Sequence, residues 1–168
     1  MALAYARDGG DITEHLPKLR ALASACDTVV EFGVFRGASS AAILAGTKGC
    51  LYSYDVDKQA DVDALLDAAD GRWIFRICDS HKASIPECDM LFIDSWHTGE
   101  HLRGELEAHH TRVRRWIVMH DTETFGQRGE DGSPGLWGAL QDWLALHPEW
   151  RLSEHFQNCN GLSILERT

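Results

Sequence analysis

The sequence has no basic run, no long hydrophobic stretch, no paired-cysteine motif and no repeat, and each absence removes a class of function. Sixteen Lys and Arg stand against 26 Asp and Glu, a formal charge of −10, and the densest basic group is only Arg112, Arg114 and Arg115. Nucleic acid and anionic membranes are therefore not expected partners, because both are held by clustered positive charge. No segment approaches the roughly 20 apolar residues of a membrane span. Residues 1–10 lack the apolar core of a secretory signal. The five cysteines (Cys26, Cys50, Cys78, Cys88 and Cys159) are odd in number and show no C-x-x-C spacing. Four lie in or beside apolar runs, which predicts reduced, buried thiols in a cytoplasmic protein.

Two phosphate-binding loops are missing as well. The segment Val29-Val30-Glu31-Phe32-Gly33-Val34-Phe35-Arg36-Gly37-Ala38-Ser39-Ser40 reads as a strand, a turn and a small-residue helix. In G-x-G-x-x-G the second glycine lets the backbone touch a pyrophosphate; that position is Phe35, whose ring blocks the approach. No lysine follows Gly37, so a G-x-x-x-x-G-K-[ST] cradle is absent too. A loop with room but no phosphate seat suits a ligand without phosphates, of which S-adenosylmethionine is the commonest. An ordinary tight turn is the plain alternative.

What is present is alternation. At 168 residues the chain is long enough for one full core. It is expected to form one domain, residues 1–168, with a helical segment over 1–26 and the cofactor-binding core over 27–168. Strand signals at Thr28–Phe32, Cys50–Tyr54, Trp73–Ile77, Asp89–Ile93 and Trp116–Met119 alternate with helical ones, which predicts an α/β fold with a mainly parallel sheet. Asp11-Ile-Thr-Glu14 resembles a capping box opening a helix, but Pro17 conflicts with an unbroken helix from Asp11, so a kink or a start nearer Leu16 is expected. Thr98 reads as an N-cap for a helix whose stripe is Leu102, Leu106, His109 and Val113, and Ser133-Pro134 as cap and first turn of another. Strands near Arg151–Phe156 and Leu162–Leu165 flank the hairpin signal Asn160-Gly161, so the last strand is expected to be antiparallel. The whole reads as a Rossmann-like, doubly wound sheet of about seven strands. The glycine-rich, charged stretch Thr122–Gly132 is a candidate lid.

The strands end in polar residues: Glu31, Asp55, Asp79, Asp94 and His120-Asp121. Ligands of open α/β sheets bind at these carboxyl ends. Asp55, 24 residues after Glu31, is placed to bind two ribose hydroxyls, and Asp79-Ser80 to meet an adenine edge. Ser39 and the free amides of its helix suit a carboxylate, and Gly33, Phe35 and Gly37 border the same ligand. Asp94, Asp121 and His120 converge as a candidate divalent-metal site, magnesium being favoured by oxygen ligands and manganese by the histidine. For His120 a strand-end histidine bonded to backbone is the plain alternative. His97, three residues past Asp94, is the candidate general base.

On these residues the sequence resembles class I S-adenosylmethionine-dependent methyltransferases, whose acidic-x-Gly-x-x-x-Gly motif matches Glu31-Phe-Gly33-Val-Phe-Arg-Gly37. Phe92-Ile-Asp94-Ser-Trp-His97, Val118-Met-His120-Asp121 and Asn160-Gly161-Leu162 look more specifically like the metal-dependent O-methyltransferases of macrolide and aminocoumarin sugars and their cephalosporin-pathway relatives. The resemblance implies metal ligation by Asp94, Asp121 and His120, with His97 as base. It also implies cofactor contacts by Glu31, Gly33, Ser39, Asp55 and Asp79. The expected acceptor is a hydroxyl of a small molecule, a sugar or natural product, and homo-oligomerisation stays open. Two rivals stand beside this. His97-Thr-Gly-Glu100-His101 matches the inverted zinc-protease motif H-x-x-E-H, and a non-catalytic S-adenosylmethionine-binding module would share every cofactor residue.

Overall fold

Seven apolar segments form one sheet. In the structure, a computed structural model describing residues 10–168, the strands are β1 (Thr28–Phe32), β2 (Cys50–Asp55), β3 (Trp73–Ile77), β4 (Cys88–Ile93), β5 (Val113–His120), β6 (Trp150–Phe156) and β7 (Leu162–Arg167). Between and before them lie α1 (Leu16–Ala23), α2 (Ala38–Gly46), α3 (Ala60–Ala68), α4 (Gly99–His109) and α5 (Leu136–Leu146). The strand order is β3-β2-β1-β4-β5-β7-β6. β1 to β5 pair in parallel, whereas β7 runs antiparallel to both β5 and β6. This is the doubly wound, mostly parallel sheet with an antiparallel carboxyl-terminal strand that the alternation predicts. The part of the helical segment expected over residues 1–9 lies outside the described residues.

Strand side chains alternate faces, and both faces are covered, so the central strands are largely apolar on both. Val29, Phe92, Trp116 and Val118 pack towards α1, α2 and α3 with Leu19, Ile43 and Val62. Val30, Phe32, Leu91, Ile117 and Met119 pack towards α4 and α5 with Leu102, Leu106, Leu140 and Trp143. Each such side chain contributes about 1.5–3 kcal/mol on burial. The order reverses between β1 and β4, and that switch point opens the crevice where ligands sit.

Several boundaries differ from the sequence reading. α4 stops at His109, and Val113, expected on its stripe, begins β5 after a 3-10 turn over His110–Arg112. Ser133-Pro134 does not cap α5, which starts at Leu136 behind Gly135. The Pro134 carbonyl instead accepts the Gly99 amide at 2.9 Å, and Pro134 pairs with Arg128 in an isolated bridge. Of the cysteines, Cys26 and Cys88 are buried and Cys50, Cys78 and Cys159 only partly so; all five are free. Burial pushes the Cys26 and Cys88 thiols up to about 12, so neither is a nucleophile.

Gly33 shows why the first loop needs glycine. Its φ is +81°, and a Cβ there would lie 1.9 Å from the Asp94 carbonyl oxygen. The β1 and β4 ends approach that closely because the Asp94 amide extends the ladder to Phe32 at 2.8 Å.

Candidate active site

Beyond the β1–β4 switch point lies a cavity of about 470 Å³ lined by Gly33, Phe35, Asp55, Asp79, Ser80 and Asp94, among others. That volume falls in the range of small-ligand sites. Asp55 shapes its floor: Oδ2 accepts the Val34 and Phe35 amides at 2.7 and 3.1 Å, and Oδ1 accepts the Asp57 amide at 3.2 Å. The aspartate at the end of β2 thus holds the β1 loop open and still faces the cavity. Asp79 caps a short 3-10 turn through the His81 amide at 3.0 Å, and its carboxyl lies below the usual range because the Lys82 ammonium and that amide favour the charged form. Phe35, Val56 and Trp96 are exposed at the cavity mouth and give it an apolar rim.

Glu31 and Ser39 are placed differently from expectation. Both are buried, and neither lines the cavity. Glu31 accepts hydroxyl bonds from Ser39, Ser40 and Ser53, each at 2.6 Å, so the Ser39 hydroxyl faces the strand end rather than a ligand. Gly37 also lies behind the cavity, as the left-handed N-cap of α2. Burial outweighs the three hydroxyls and pushes the Glu31 carboxyl up to about 7. The native state therefore binds that proton more tightly than the unfolded chain. Stability from this group is greatest below the unfolded value of 4.5, declines as pH rises, and levels off above about 7. Urea unfolding at pH 5 and pH 8 should differ by on the order of 3 kcal/mol more in the wild type than in Glu31→Gln. An identical pH dependence in the two proteins contradicts the assignment.

The carboxyl ends of β4 and β5 bring two carboxylates and two imidazoles together. Asp94 and Asp121 flank two histidines. His97 Nε2 lies 3.3 Å from Asp94 Oδ1 and 3.1 Å from Asp121 Oδ2; His120 Nδ1 lies 3.4 Å from Asp94 Oδ1 and 3.3 Å from Asp121 Oδ1. The other nitrogen of each ring is engaged outside the cluster. His97 Nδ1 donates to Glu130 Oε2 at 2.7 Å, and His120 Nε2 donates to the Cys159 carbonyl at 3.0 Å. A neutral imidazole has one N–H, so each ring then turns a lone pair towards two carboxylates. That arrangement is repulsive unless the rings are protonated or a cation lies among them. Asp121 Oδ1 is buried with no hydrogen-bond partner, and Asp121 holds a φ of +59°. Orphaned polar atoms and uncommon backbone angles gather at functional sites. Asp94, His97 and Asp121 each offer a ligand atom, all within 4.8 Å of one another. Imidazoles fixed from behind by a carboxylate or carbonyl are how metal ligands are oriented. The donor set therefore fits a divalent cation.

The electrostatics follow from the same contacts. Burial alone pulls the His97 imidazole down, but the bonds and charges of Asp94, then Glu130 and Asp121, hold it at about 9. Burial raises Asp94, yet His120 and His97 hold its carboxyl at about 2. Asp121 is raised, chiefly by burial, with the Asp94 charge adding to it.

The sequence reading missed Glu130 and Phe125. Both lie in the 122–132 stretch singled out as a lid; Phe125 stacks on His97 with ring centroids 4.9 Å apart. The stretch is tied down by backbone bonds from Glu123 and Thr124 to Asn160, Phe125 to Asp121 and Glu130 to His97. The zinc-protease geometry does not form. His97 precedes α4, while His101 turns to Ser80 Oγ at 3.2 Å and Glu105 Oε1 at 3.3 Å, away from the His97 cluster.

No curated protein matches the sequence. Solved structures do match the fold. A protein from Corynebacterium glutamicum is 16% identical with a TM-score of 0.76, over 99% of this chain and 89% of that one. The O-methyltransferase of Bacillus cereus, solved with S-adenosylhomocysteine, is 14% identical with a TM-score of 0.66, over 92% of this chain and 81% of that one. The N-methyltransferase NodS of Bradyrhizobium japonicum, also with S-adenosylhomocysteine, is 14% identical with a TM-score of 0.68, over 95% and 89%. No helix among the described residues is long and apolar enough to cross a membrane. A methyltransferase domain model matches residues 30–122, from β1 through the Asp121 turn, and the chain belongs to that methyltransferase domain family.

Proposed function

We propose that residues 1–168 act as one S-adenosylmethionine-dependent O-methyltransferase domain that methylates a hydroxyl of a small molecule, with a divalent cation at Asp94, Asp121 and His120 and with His97 as general base. The observation that carries this reading is the pair of carboxylates and pair of outward-anchored imidazoles beside a cavity whose far wall is Asp55. Asp55 accepts the ribose hydroxyls of the cofactor, and Asp79 with Ser80 meets the adenine. Gly33 and Phe35 border the ligand; Glu31, Ser39 and Gly37 support it from behind. Magnesium fits the oxygen donors and manganese the histidine. The acidic surface disfavours nucleic acid, and the free thiols suit a reducing, cytoplasmic setting.

S-adenosylmethionine supplies an activated methyl group, and a divalent cation supplies stabilisation of a developing alkoxide. The chain's residues do the rest. The cavity and its apolar rim hold donor and acceptor in line, which can supply several kcal/mol of the barrier. As the acceptor oxygen forms its bond to the methyl carbon, the carbon–sulfur bond breaks. His97 Nε2 takes the hydroxyl proton while Glu130 holds Nδ1–H and Phe125 fixes the ring plane. An aliphatic hydroxyl needs this help more than a phenol does, which favours a sugar or related natural product. The likeness to antibiotic-sugar enzymes points the same way.

A second reading has a specific observation behind it: His97 stands close enough to both aspartates to be a ligand itself. Metal affinity of the His97→Ala protein separates the two. For the cofactor half, Asp55→Ala should weaken S-adenosylmethionine binding about tenfold or more, a charge-assisted hydrogen bond contributing about 1.5–3 kcal/mol. Calorimetry measures this directly; unchanged affinity removes Asp55 from the site. Saturating S-adenosylhomocysteine should raise the wild-type Tm by roughly 5 °C.

A further inference from the structure

A second cluster of histidines and carboxylates lies at the opposite end of the sheet, where α4 and α5 terminate before β5 and β6. The helices are 11 residues each, so it sits roughly 16 Å from their amino ends. Glu107, His110 and His147 each offer one ligand atom, and these atoms lie within 4.8 Å of one another. His147 Nε2 is 3.3 Å from Glu107 Oε1. Glu149 stands behind both rings, its Oε1 3.2 Å from His147 Nδ1 and 3.6 Å from His110 Nδ1. Trp143 walls the cluster, stacked on His147 at 4.2 Å and edge-on to His110 at 5.4 Å.

We infer that this is a structural site for a borderline divalent cation such as zinc, ligated by Glu107, His110 and His147, with Glu149 orienting the two imidazoles. The two-histidine, one-carboxylate donor set suits zinc and its neighbours and does not suit magnesium. With His147 Nδ1 turned to Glu149, the His147 nitrogen left for the metal is Nε2, beside Glu107. Both ring nitrogens of His147 face carboxylates, Nδ1 that of Glu149 and Nε2 that of Glu107. His110 Nδ1 is buried and, at 3.6 Å from Glu149, has no hydrogen bond. The negative ends of two helix dipoles meet at the same place and favour a cation. Bound there, the ion clasps the ends of α4 and α5 together.

The test uses the full chain with the active-site carboxylates neutralised, Asp94→Asn with Asp121→Asn, so that its outcome is independent of the proposed metal in the catalytic site. Calorimetric titration of that metal-free protein with zinc should give one saturable equivalent and a raised Tm. Adding Glu107→Gln, an exposed change that the fold tolerates, should weaken zinc binding at least tenfold, and His147→Gln should do the same. Absence of saturable zinc binding in the double variant, or unchanged zinc affinity after Glu107→Gln, overturns the site.

Discussion

Removing divalent cations with excess chelator is expected to lower methyl transfer by roughly two orders of magnitude or more, and added magnesium or manganese to restore it. A cation stabilising a developing alkoxide contributes several kcal/mol of barrier lowering, and each 1.36 kcal/mol is tenfold in rate. The residues already announce the need for positive charge. Asp94 and Asp121 face each other across two imidazoles, and one Asp121 oxygen is buried without a partner. Asp94→Asn keeps the shape of that side chain and removes its charge. It should match the chelator effect, and magnesium should no longer rescue it. Full turnover in excess chelator leaves Asp94 and Asp121 a purely structural role.

His97→Ala is expected to lower kcat by about 10²–10⁴, the usual range for a lost acid–base group, with cofactor affinity little changed. The imidazole must be neutral to accept a proton. In the metal-free site Asp94, Glu130 and Asp121 hold it protonated up to about 9. A cation on the two aspartates offsets their charge and returns the ring towards its ordinary value near 6.5, where the base form prevails at neutral pH. Turnover of the metal-loaded wild type should therefore rise with pH through the His97 titration, and that limb should vanish in the variant. A variant that keeps most of its turnover makes His97 a positioning residue. A variant that instead loses metal affinity tenfold or more makes it a ligand.

Much of this was legible because it depends on local pattern. The apolar runs of β1 to β5 and the polar residue ending each of them gave strand positions, and the parallel pairing of β4 with β5 put Asp94 and Asp121 side by side. The reading went astray where contacts between distant segments decide the outcome. Ser133-Pro134 is a good cap on local grounds, but tertiary bonds to Gly99 and Arg128 claim it for a loop. Ser39 looks like a ligand donor until Glu31, eight residues earlier, is found buried against it. Glu130 carried no signal of its own. Only the fold shows that a loop 33 residues beyond His97 returns to hold that ring, just as the Cys159 carbonyl of the β6–β7 turn returns to hold His120.

The central claim is that one crevice holds an adenosyl cofactor against Asp55 and a divalent cation against Asp94. It is tested most directly by crystals grown with S-adenosylhomocysteine and manganese, read by anomalous scattering. The account predicts a manganese peak within coordinating distance of Asp94 and Asp121, with the ribose hydroxyls on Asp55. Nucleoside density in the crevice with no anomalous peak at the two aspartates, or a ribose held away from Asp55, would contradict it.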